Sequence, residues 1–516
     1  MRYVSLILFA LVLAAPFALR KAIVHDDGPR TAVSASTERL VVITPHNSDI
    51  RNEFARAFGR WHRAHYGSDV EIDYRVPGGT NDIKKQLEAT YGEWLEKKQA
   101  SPPDDFTVVW GGGDYFFNQL KGEHILQPLK MPPELLKEFR EGFPQPSLAG
   151  VKLYDNTAAA DGTPTPQWVG VCLSSFGICY NPDVYRALGI AEPTPERGWS
   201  ALTDPKLFGF IALADPAHSA SASVGYLMVI QHKMAQAETA LFSQRPDLRA
   251  MPKKALAKNA DYRRAMEAGW QAGMAELVKI AANARYFTDS STLVPMDVSR
   301  GETAAGIAID FYAQVTEESV GSGRMRYIAP IGATAITPDP VAVLVGASGR
   351  KLELAQHFIE FLLSPQGQRL WILKPGTPGG PLERSLRRPP IRQDVYADRT
   401  GWVDGTDPFT SAAGFNERGE WMALFDDTRP MWVAAWIDSR EELQDAYRKV
   451  LAVPEINRRA ALIDTLAYLP IKMADVEAMK AEAARVPDVS YWRAKKQIEW
   501  AETFRRHYRQ VGEEAE

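Results

Sequence analysis

Two short turns in this chain join glycine or serine to the start of a predicted helix, an arrangement suited to anionic oxygen atoms. The first is Gly78-Gly79-Thr80, and the second carries Ser219 and Ser221. The first backbone N–H groups of a helix have no intrahelical partner, and glycine lets the backbone approach a ligand closely. These turns predict contacts to a small, oxygen-rich solute. An ordinary turn with a helix cap is the structural alternative.

Other side chains leave the class of solute open. His46, Asp49 and Asp289 could supply ligands to a hard metal ion, which prefers carboxylate and other oxygen donors. A single histidine after a strand is also typical of a polar turn without any ligand. Four aromatic residues could stack on a sugar ring or pack in a core, namely Trp110, Tyr115, Phe176 and Tyr312.

Sequence motifs of the common enzyme classes are missing from the chain. It contains no Gly-x-Ser-x-Gly elbow, no His-Glu-x-x-His and no Walker loop, since the glycines at 111–113 are not followed by Lys-Ser/Thr. The nine histidines are scattered, and none lies beside a candidate nucleophile in a recognisable frame. We therefore expect no enzymatic activity and no cofactor, with an exported hydrolase as the alternative.

Buried strands alternate with amphipathic helices along most of the chain. Apolar runs at residues 40–43, 70–76 and 106–110 are each followed by a polar turn and a helical pattern. This alternation predicts a parallel sheet covered by helices, with ligands bound at the carboxyl ends of the strands. Past Pro389 and Pro390 the pattern becomes mostly helical and rich in charge.

The overall composition is that of a globular protein of two or three domains. The 516 residues are 45% hydrophobic and 24% charged, and 60 basic against 64 acidic side chains give a net charge of −4. This balance predicts no nucleic-acid partner, because a basic surface is required for one. A mean hydropathy of −0.26 excludes a polytopic membrane protein.

The amino-terminal residues have the features of an export signal. An uncharged apolar run at residues 3–18 follows Arg2 and is closed by Arg20 and Lys21. Its length exceeds the usual signal-peptide core of about 7–15 residues and falls just short of the roughly 20 residues that span a bilayer. We expect a periplasmic or other extracytoplasmic protein, either released by cleavage or tethered by an uncleaved segment.

The two cysteines, Cys172 and Cys179, are too few for a disulfide scaffold and lack metal-binding spacing. A turn at Ser174-Ser175 would be needed to bring them within bonding distance. Two buried thiols and one bridge both remain open from the sequence.

Several segments, taken in order, resemble the extracytoplasmic solute-binding proteins of ABC importers, in the branch that includes the ferric-iron binders. They lie at residues 40–45, 78–80, 110–113, 174–183, 198–205, 215–216 and 361–368. The most distinctive reads Ser-Ser-Phe-Gly-Ile-Cys-Tyr-Asn-Pro-Asp, at residues 174–183. The resemblance spans roughly residues 40–389, and the segment after Pro390 is not part of that family's usual pattern.

The resemblance implies an α/β, two-lobed fold like that of type II periplasmic binding proteins, with hinge crossover strands and a mostly helical C-terminal extension. Residues 1–37 would form the export signal or anchor and its spacer. Residues 38–169 and 331–389 would form the first lobe, called lobe 1, and residues 170–330 the hinge and lobe 2. Residues 390–516 would form the extension. The crossings would lie at residues 169–175 and about 325–330.

The ferric-iron branch also bears on the ligand. Its members carry a Tyr-Tyr pair after the strand that ends here at Asp310, because phenolate oxygens are hard, anionic donors. This chain has Phe311 and Tyr312 at the matching place. One of the two phenolates is therefore missing, which counts against iron.

We predict that polar groups of the turns and the hinge bind the ligand. They are His46, Asn47, Gly79, Thr80, Gly112, Ser174, Ser175, Ser219, Ser221, Asp310 and Tyr312. Tyr312 and His46 would be metal ligands if the solute is ferric iron.

The predicted function is capture of a small polar or anionic solute, such as a phosphorylated or carboxylated metabolite. We expect a monomer that delivers this solute to an ABC transporter permease. The alternatives are a ferric-iron binder of the same fold, an exported enzyme of the hydrolase type, and a ligand sensor that reports to another membrane partner.

Overall fold

The computed structural model describes residues 37–97, 103, 106–143, 145–405, 407–411 and 425–516. Within these ranges, side chains are not described at residues 220–221, 410–411 and 425–427. The apolar run of the predicted export signal lies outside the described residues. In the described part of the chain, no helix combines the length and the apolar character that crossing a membrane requires.

A five-stranded sheet forms the centre of lobe 1. Its strands are β1 (Glu38–Ile43), β2 (Val70–Arg75), β3 (Val108–Trp110), β6 (Val169–Ser174) and β12 (Thr337–Val343), in the order β2-β1-β3-β12-β6. β1 is parallel to β2 and β3, but β12 is antiparallel to both β3 and β6. The sheet is therefore mixed where the sequence predicted a parallel one. β12 returns from lobe 2 rather than through a helical crossover, so nothing imposes the parallel direction on it.

A second mixed sheet of five strands forms the centre of lobe 2. Its strands are β7 (Phe176–Tyr180), β8 (Ile211–Ala214), β9 (Ala284–Thr288), β10 (Ala305–Ile309) and β11 (Arg326–Ile328), in the order β11-β7-β10-β8-β9. β8 is parallel to β9 and β10, whereas β7 is antiparallel to β10 and β11. A separate short hairpin in the region of lobe 1 pairs β4 (Ser147–Leu148) with β5 (Val151–Lys152).

The two sheets are joined by crossover segments. Ser175 alone separates β6 from β7, and residues 329–336 connect β11 to β12. Two α/β lobes joined by such crossings confirm the predicted fold class. The finer domain limits drawn from the sequence remain predictions.

The helices of lobe 1 cover both faces of its sheet. They are α1 (Ser48–Tyr66), α2 (Thr80–Lys97), α3 (Asp114–Gly122), α4 (Pro133–Gly142), α12 (Gly349–Leu363) and α13 (Pro365–Leu370). α1 illustrates why they form where they do. The Asn47 side chain accepts from Ile50 N at 3.0 Å, which caps the helix, and Gly67 ends it at a φ of 75°. Phe54 and Phe58 lie on its buried face.

The helices of lobe 2 include a closely packed pair. The lobe contains α5 (Pro182–Leu188), α6 (Ala220–Gln244), α7 (Pro246–Arg249), α8 (Lys253–Leu256), α9 (Ala260–Ala282), α10 (Leu293–Arg300) and α11 (Asp310–Val320), with 3₁₀ turns at Gly198–Thr203 and Pro205–Leu207. α6 packs along α9. A Cβ at Gly273 would lie 2.5 Å from the Ile230 Cα, so glycine is needed there for this approach.

The C-terminal extension packs first on lobe 1 and then on lobe 2. Its helices are α14 (Pro408–Ser411), α15 (Phe425–Trp432), α16 (Arg440–Ala452), α17 (Ile456–Ala467), α18 (Met473–Ala483) and α19 (Val489–Ala515), with a π-helical turn at Val433–Asp438 and a 3₁₀ turn at Gln393–Ala397. Val395 and Trp402 form a small core with Ile372 and Leu373 of lobe 1, whereas the later helices pack on lobe 2. Trp432 and Trp436 are fully buried and contact Tyr226 of α6 edge-on. Gln444 donates to Ala284 O at 2.6 Å, at the first residue of the edge strand β9. The extension thus enlarges the core of lobe 2.

Both cysteines are buried as free thiols. Cys172 lies in β6 and Cys179 in β7, so they belong to different sheets. Burial in apolar surroundings raises the pKa of Cys179 to about 12. The sequence left open whether the two cysteines are buried thiols or form a disulfide bridge, and in the structure they are buried thiols.

Candidate functional site

A cleft of about 540 Å³ lies between the two lobes. The amino ends of α1, α2 and α3 line it from lobe 1, and those of α6, α10 and α11 line it from lobe 2. Free N–H groups and the helix dipole make such ends favourable for negative charge. Their convergence gives the cleft a bias towards anionic ligands before any side-chain charge is counted.

The lobes touch each other at the edge of this cleft. Asn81, in the first turn of α2, donates from its side-chain amide to Ala217 O in lobe 2 at 2.9 Å. A Cβ at the preceding Gly79 would be 3.4 Å from His218 O. The turn that carries Gly79 and Thr80 therefore lines the cleft and also contacts the opposite lobe.

The glycine turn after β3 is occupied by a carboxylate of the protein itself. Asp339 of β12 accepts from Gly112 N at 2.7 Å and from Gly113 N at 3.2 Å. Its other oxygen is 2.9 Å from His46 Nε2 and pairs with the Arg388 guanidinium. Burial opposes ionisation, but Arg388 and His46 hold the pKa of Asp339 well below its usual range. The Gly112 N–H therefore binds an internal anion.

His46 is held on both ring nitrogens. Its Nδ1 lies 3.0 Å from Thr44 Oγ1, its Nε2 faces Asp339, and its ring packs 4.3 Å from that of Trp110. Burial lowers the pKa of His46 despite the neighbouring carboxylate. A Cβ at Gly111 would lie 2.6 Å from this ring. His46 therefore orients Asp339, and Trp110 is a core residue.

Arg388 is a buried cation that lines the cleft. Its side chain is 1% exposed, and its guanidinium lies over the rings of Phe311 at 4.2 Å and Trp371 at 5.4 Å. The Nε atom has no hydrogen-bond partner among the described residues. A buried donor without a partner carries a free-energy cost. Arg388 therefore places a positive charge at the wall of the cleft.

The lobe 2 wall of the cleft is rich in hydroxyl groups. Ser219 caps α6 by accepting from Ala222 N at 3.2 Å, and it lines the cleft beside His218. Ser221 is the next predicted residue, but its side chain is outside the described part. Hydroxyl groups of Ser290 and Thr292 face the cleft and lie 2.9 Å from each other. These groups can donate to or accept from a polar ligand.

The predicted hinge residues have divergent surroundings. Ser174 lines the cleft, whereas Asp310 is buried behind it and accepts from Ser175 N at 2.7 Å and Ser175 Oγ at 3.1 Å. Burial raises the pKa of Asp310 to about 6, although the Ser175 donors favour its anion. Ser175 and Asp310 thus bind each other across the junction of β6 and β7.

Tyr312 reaches the cleft beside Phe311. Burial raises the pKa of Tyr312 to about 12, which disfavours the phenolate that a ferric ion would need. Among the described residues, no group of three or more histidine, cysteine or acidic side chains is arranged to hold a metal ion.

Six charged residues of the cleft were not selected from the sequence. They are Arg51, Asp82, Asp114, Asp339, Arg388 and Arg429. Asp114 directly follows the glycine turn, and Arg51 lies one helical turn after Asn47, so their positions could have indicated them. Arg388 and Asp339 are 49 residues apart and meet only through the fold.

Comparison with known proteins identifies the family. Residues 112–384, slightly more than half of the chain, match the family described as bacterial extracellular solute-binding protein. The chain belongs to this family. Arg388 and the whole C-terminal extension lie beyond the matched residues.

Among individual relatives, the phosphoglycerate transport regulatory protein PgtC of Salmonella typhimurium is 26% identical over 289 residues. The alignment covers 54% of this chain and 60% of PgtC, so the chain spans less than two thirds of that relative's length.

Solved structures, among them that of a periplasmic binding protein, are similar at lower identity. AfuA from Actinobacillus pleuropneumoniae, with fructose-6-phosphate bound, is 20% identical with a TM-score of 0.46, covering 77% of this chain and 98% of AfuA. Iron-bound HitA from Pseudomonas aeruginosa is 16% identical with a TM-score of 0.45, covering 76% of this chain and 99% of HitA.

Proposed function

We propose that this protein captures a small anionic metabolite, phosphorylated or carboxylated, in its interlobe cleft and delivers it to the permease of an ABC importer. It would act outside the cytoplasm as a monomer and without catalysis. The observation that carries the proposal is Arg388, a buried guanidinium that lines the cleft. The similarity to PgtC, whose name refers to phosphoglycerate transport, supports the same ligand class.

Ligand capture would proceed by closure of the two lobes. An anion entering the cleft would bind Arg388 and the amino ends of the helices, and the Asn81 contact to Ala217 would form as the lobes meet. A ligand that contacts both walls favours the closed population by its differential affinity for that state. Tyr115 and Gln119, which also line the cleft, could then contact the uncharged part of the solute.

A ligand-binding screen of the full chain tests the proposal. We would measure thermal unfolding with phosphoglycerate, glycerol phosphate, inorganic phosphate, succinate and ferric citrate. A ligand at 100 times its Kd stabilises a protein by about 2.7 kcal/mol, which is a clear rise in Tm. Stabilisation by at least one of the organic anions is expected. If none of them raises Tm and the protein instead turns over a substrate, the proposal is wrong and the protein is an enzyme.

The pH dependence of anion binding supplies a second prediction. Burial raises the pKa of Asp114, which lines the cleft, to about 6, although backbone N–H groups of Asp114 and Tyr115 favour its anion. Above pH 6 its negative charge opposes an anionic ligand, and as the pH falls below 6 protonation removes this repulsion. The repulsion is on the order of 1 kcal/mol, so Asp114→Asn should bind the anion about fivefold more tightly at pH 8.

Titration calorimetry of wild type and Asp114→Asn from pH 5 to pH 8 measures this effect. The ratio of the two dissociation constants should approach one at pH 5, and taking the ratio cancels the titration of the ligand itself. A ratio that does not change with pH would contradict the prediction.

A ligand sensor is the second candidate function, because PgtC is named a transport regulatory protein. In that case the closed form would report to a membrane partner other than a permease. Transport assays separate the two: deletion of the gene should abolish uptake of the bound anion for a carrier, but change only the expression of an uptake system for a sensor.

A further inference from the structure

The C-terminal extension reaches the cleft through a single described side chain, that of Arg429. This residue lies in α15 and lines the cleft together with His218, Ser219 and the loop at residues 289–292 of lobe 2. The matched family region ends at residue 384, so Arg429 comes from a part of the chain outside that match. A cation in the ligand cleft is thus supplied by the extension.

The helix that carries Arg429 is fixed to lobe 2. Trp432, three residues further along α15, is fully buried, and its Nε1 donates to Met274 Sδ at 3.3 Å. The ring of Trp432 also packs edge-on against that of Tyr226, at 6.0 Å between centroids. Tyr226 belongs to α6, the helix whose amino end lines the cleft at Ser219. Arg429 therefore moves with lobe 2.

The cations of the opposite wall belong to lobe 1. Arg388 is paired with Asp339 of β12, and Arg51 lies in the first turn of α1, where its Nε donates to Asn47 O at 3.3 Å. Closure thus brings guanidinium groups of both lobes to one cavity. A solute with two anionic groups could bind one guanidinium group on each wall.

We propose that the C-terminal extension is part of the binding site, and that Arg429 of lobe 2 and Arg388 of lobe 1 each bind one anionic group of a doubly anionic solute. This inference rests on the proposed function and adds the solute class, a small molecule with two separate anionic groups. It also assigns a specificity-determining residue to the extension.

The experiment compares two probes on the full chain by titration calorimetry. Phosphoglycerate carries a phosphate and a carboxylate, and glycerol phosphate lacks the carboxylate. Wild type, Arg429→Gln and Arg429→Lys are measured, with Arg485→Gln as the matched control on an exposed part of the extension. Thermal unfolding of each variant checks that folding is unchanged.

Arg429→Gln should weaken phosphoglycerate binding by about tenfold or more and glycerol phosphate binding distinctly less, because a charge-assisted contact to the second anionic group is lost. Arg429→Lys should retain most of the affinity, and Arg485→Gln all of it. Equal affinity of wild type and Arg429→Gln for phosphoglycerate, or an equal loss for the two probes, would overturn the inference while the proposed function stands. Wild type that binds neither probe also overturns it, and the proposed function fails too if the wider anion screen gives no stabilisation.

Discussion

Arg388→Met is expected to weaken the binding of small anions by about 10- to 100-fold and to lower the free energy of unfolding by about 3–5 kcal/mol. The stability effect follows from the burial of Arg388 and Asp339, whose side chains are 1% and 8% exposed. Removing one partner of a buried ion pair leaves the other charge uncompensated. The binding effect follows because the guanidinium lines the cleft, and loss of a charge-assisted contact weakens affinity by about 10- to 100-fold.

A double-mutant cycle separates these two effects. Asp339→Asn alone should also destabilise, since it leaves Arg388 buried without its carboxylate. Arg388→Met combined with Asp339→Asn should be more stable than the sum of the single losses predicts, because neither charge remains. Anion binding should stay as weak in the double variant as in Arg388→Met.

The measurements are urea unfolding at pH 7 and titration with phosphoglycerate. Arg324→Met, at an exposed position, is the control and should change neither quantity. Strict additivity of the two single losses in stability would show that Arg388 and Asp339 do not act as a pair. If Arg388→Met binds phosphoglycerate as tightly as the wild type, Arg388 is not part of the binding site.

Trp432→Ala is expected to lower the free energy of unfolding by about 4 kcal/mol and to weaken anion binding as well. The side chain is fully buried between α15 and lobe 2, and large-to-small changes at such sites cost about 3–5 kcal/mol because a cavity remains. The hydrogen bond from the indole Nε1 to Met274 Sδ is also lost. Since α15 carries Arg429, loosening this helix should reduce affinity together with stability.

Urea unfolding followed by tryptophan fluorescence measures the first effect, and calorimetric titration measures the second. Trp492→Ala is the matched control, because Trp492 lies partly exposed on α19 and donates to Glu482 at 3.2 Å. We expect it to cost no more than about 1 kcal/mol. If the extension of the Trp432→Ala variant unfolds in a separate transition at low urea, the extension is not part of the lobe 2 core.

Local sequence patterns were sufficient to predict the elements that position the cleft. Ser219 was recognised as a residue at a helix start, and it caps α6. The break at Ser174-Ser175 coincides with the passage from one sheet to the other. Such signals are visible in sequence because a cap or a turn depends on residues only a few positions apart.

The binding partners of the polar groups near the cleft could not be predicted in the same way. Gly112 has the form of an anion-binding turn, yet its N–H is taken by Asp339, which comes from the returning strand 227 residues later. His46, read as a candidate metal ligand, holds that same carboxylate. Whether a polar group binds a ligand or another residue depends on partners that only the folded chain brings within reach.

The sequence by itself determined the class of this protein: alternating strands and helices, polar turns at strand ends, and a helical segment after residue 390. Only the tertiary structure decided which charges enter the cleft. Arg388 is held at the cleft by its ion pair with Asp339, and Arg429 is held there by the packing of Trp432 on lobe 2. The physical reason is the separation of the residues along the chain. Strand and helix patterns depend on residues only a few positions apart. A site between lobes is assembled from residues that are distant along the chain and that only packing brings together.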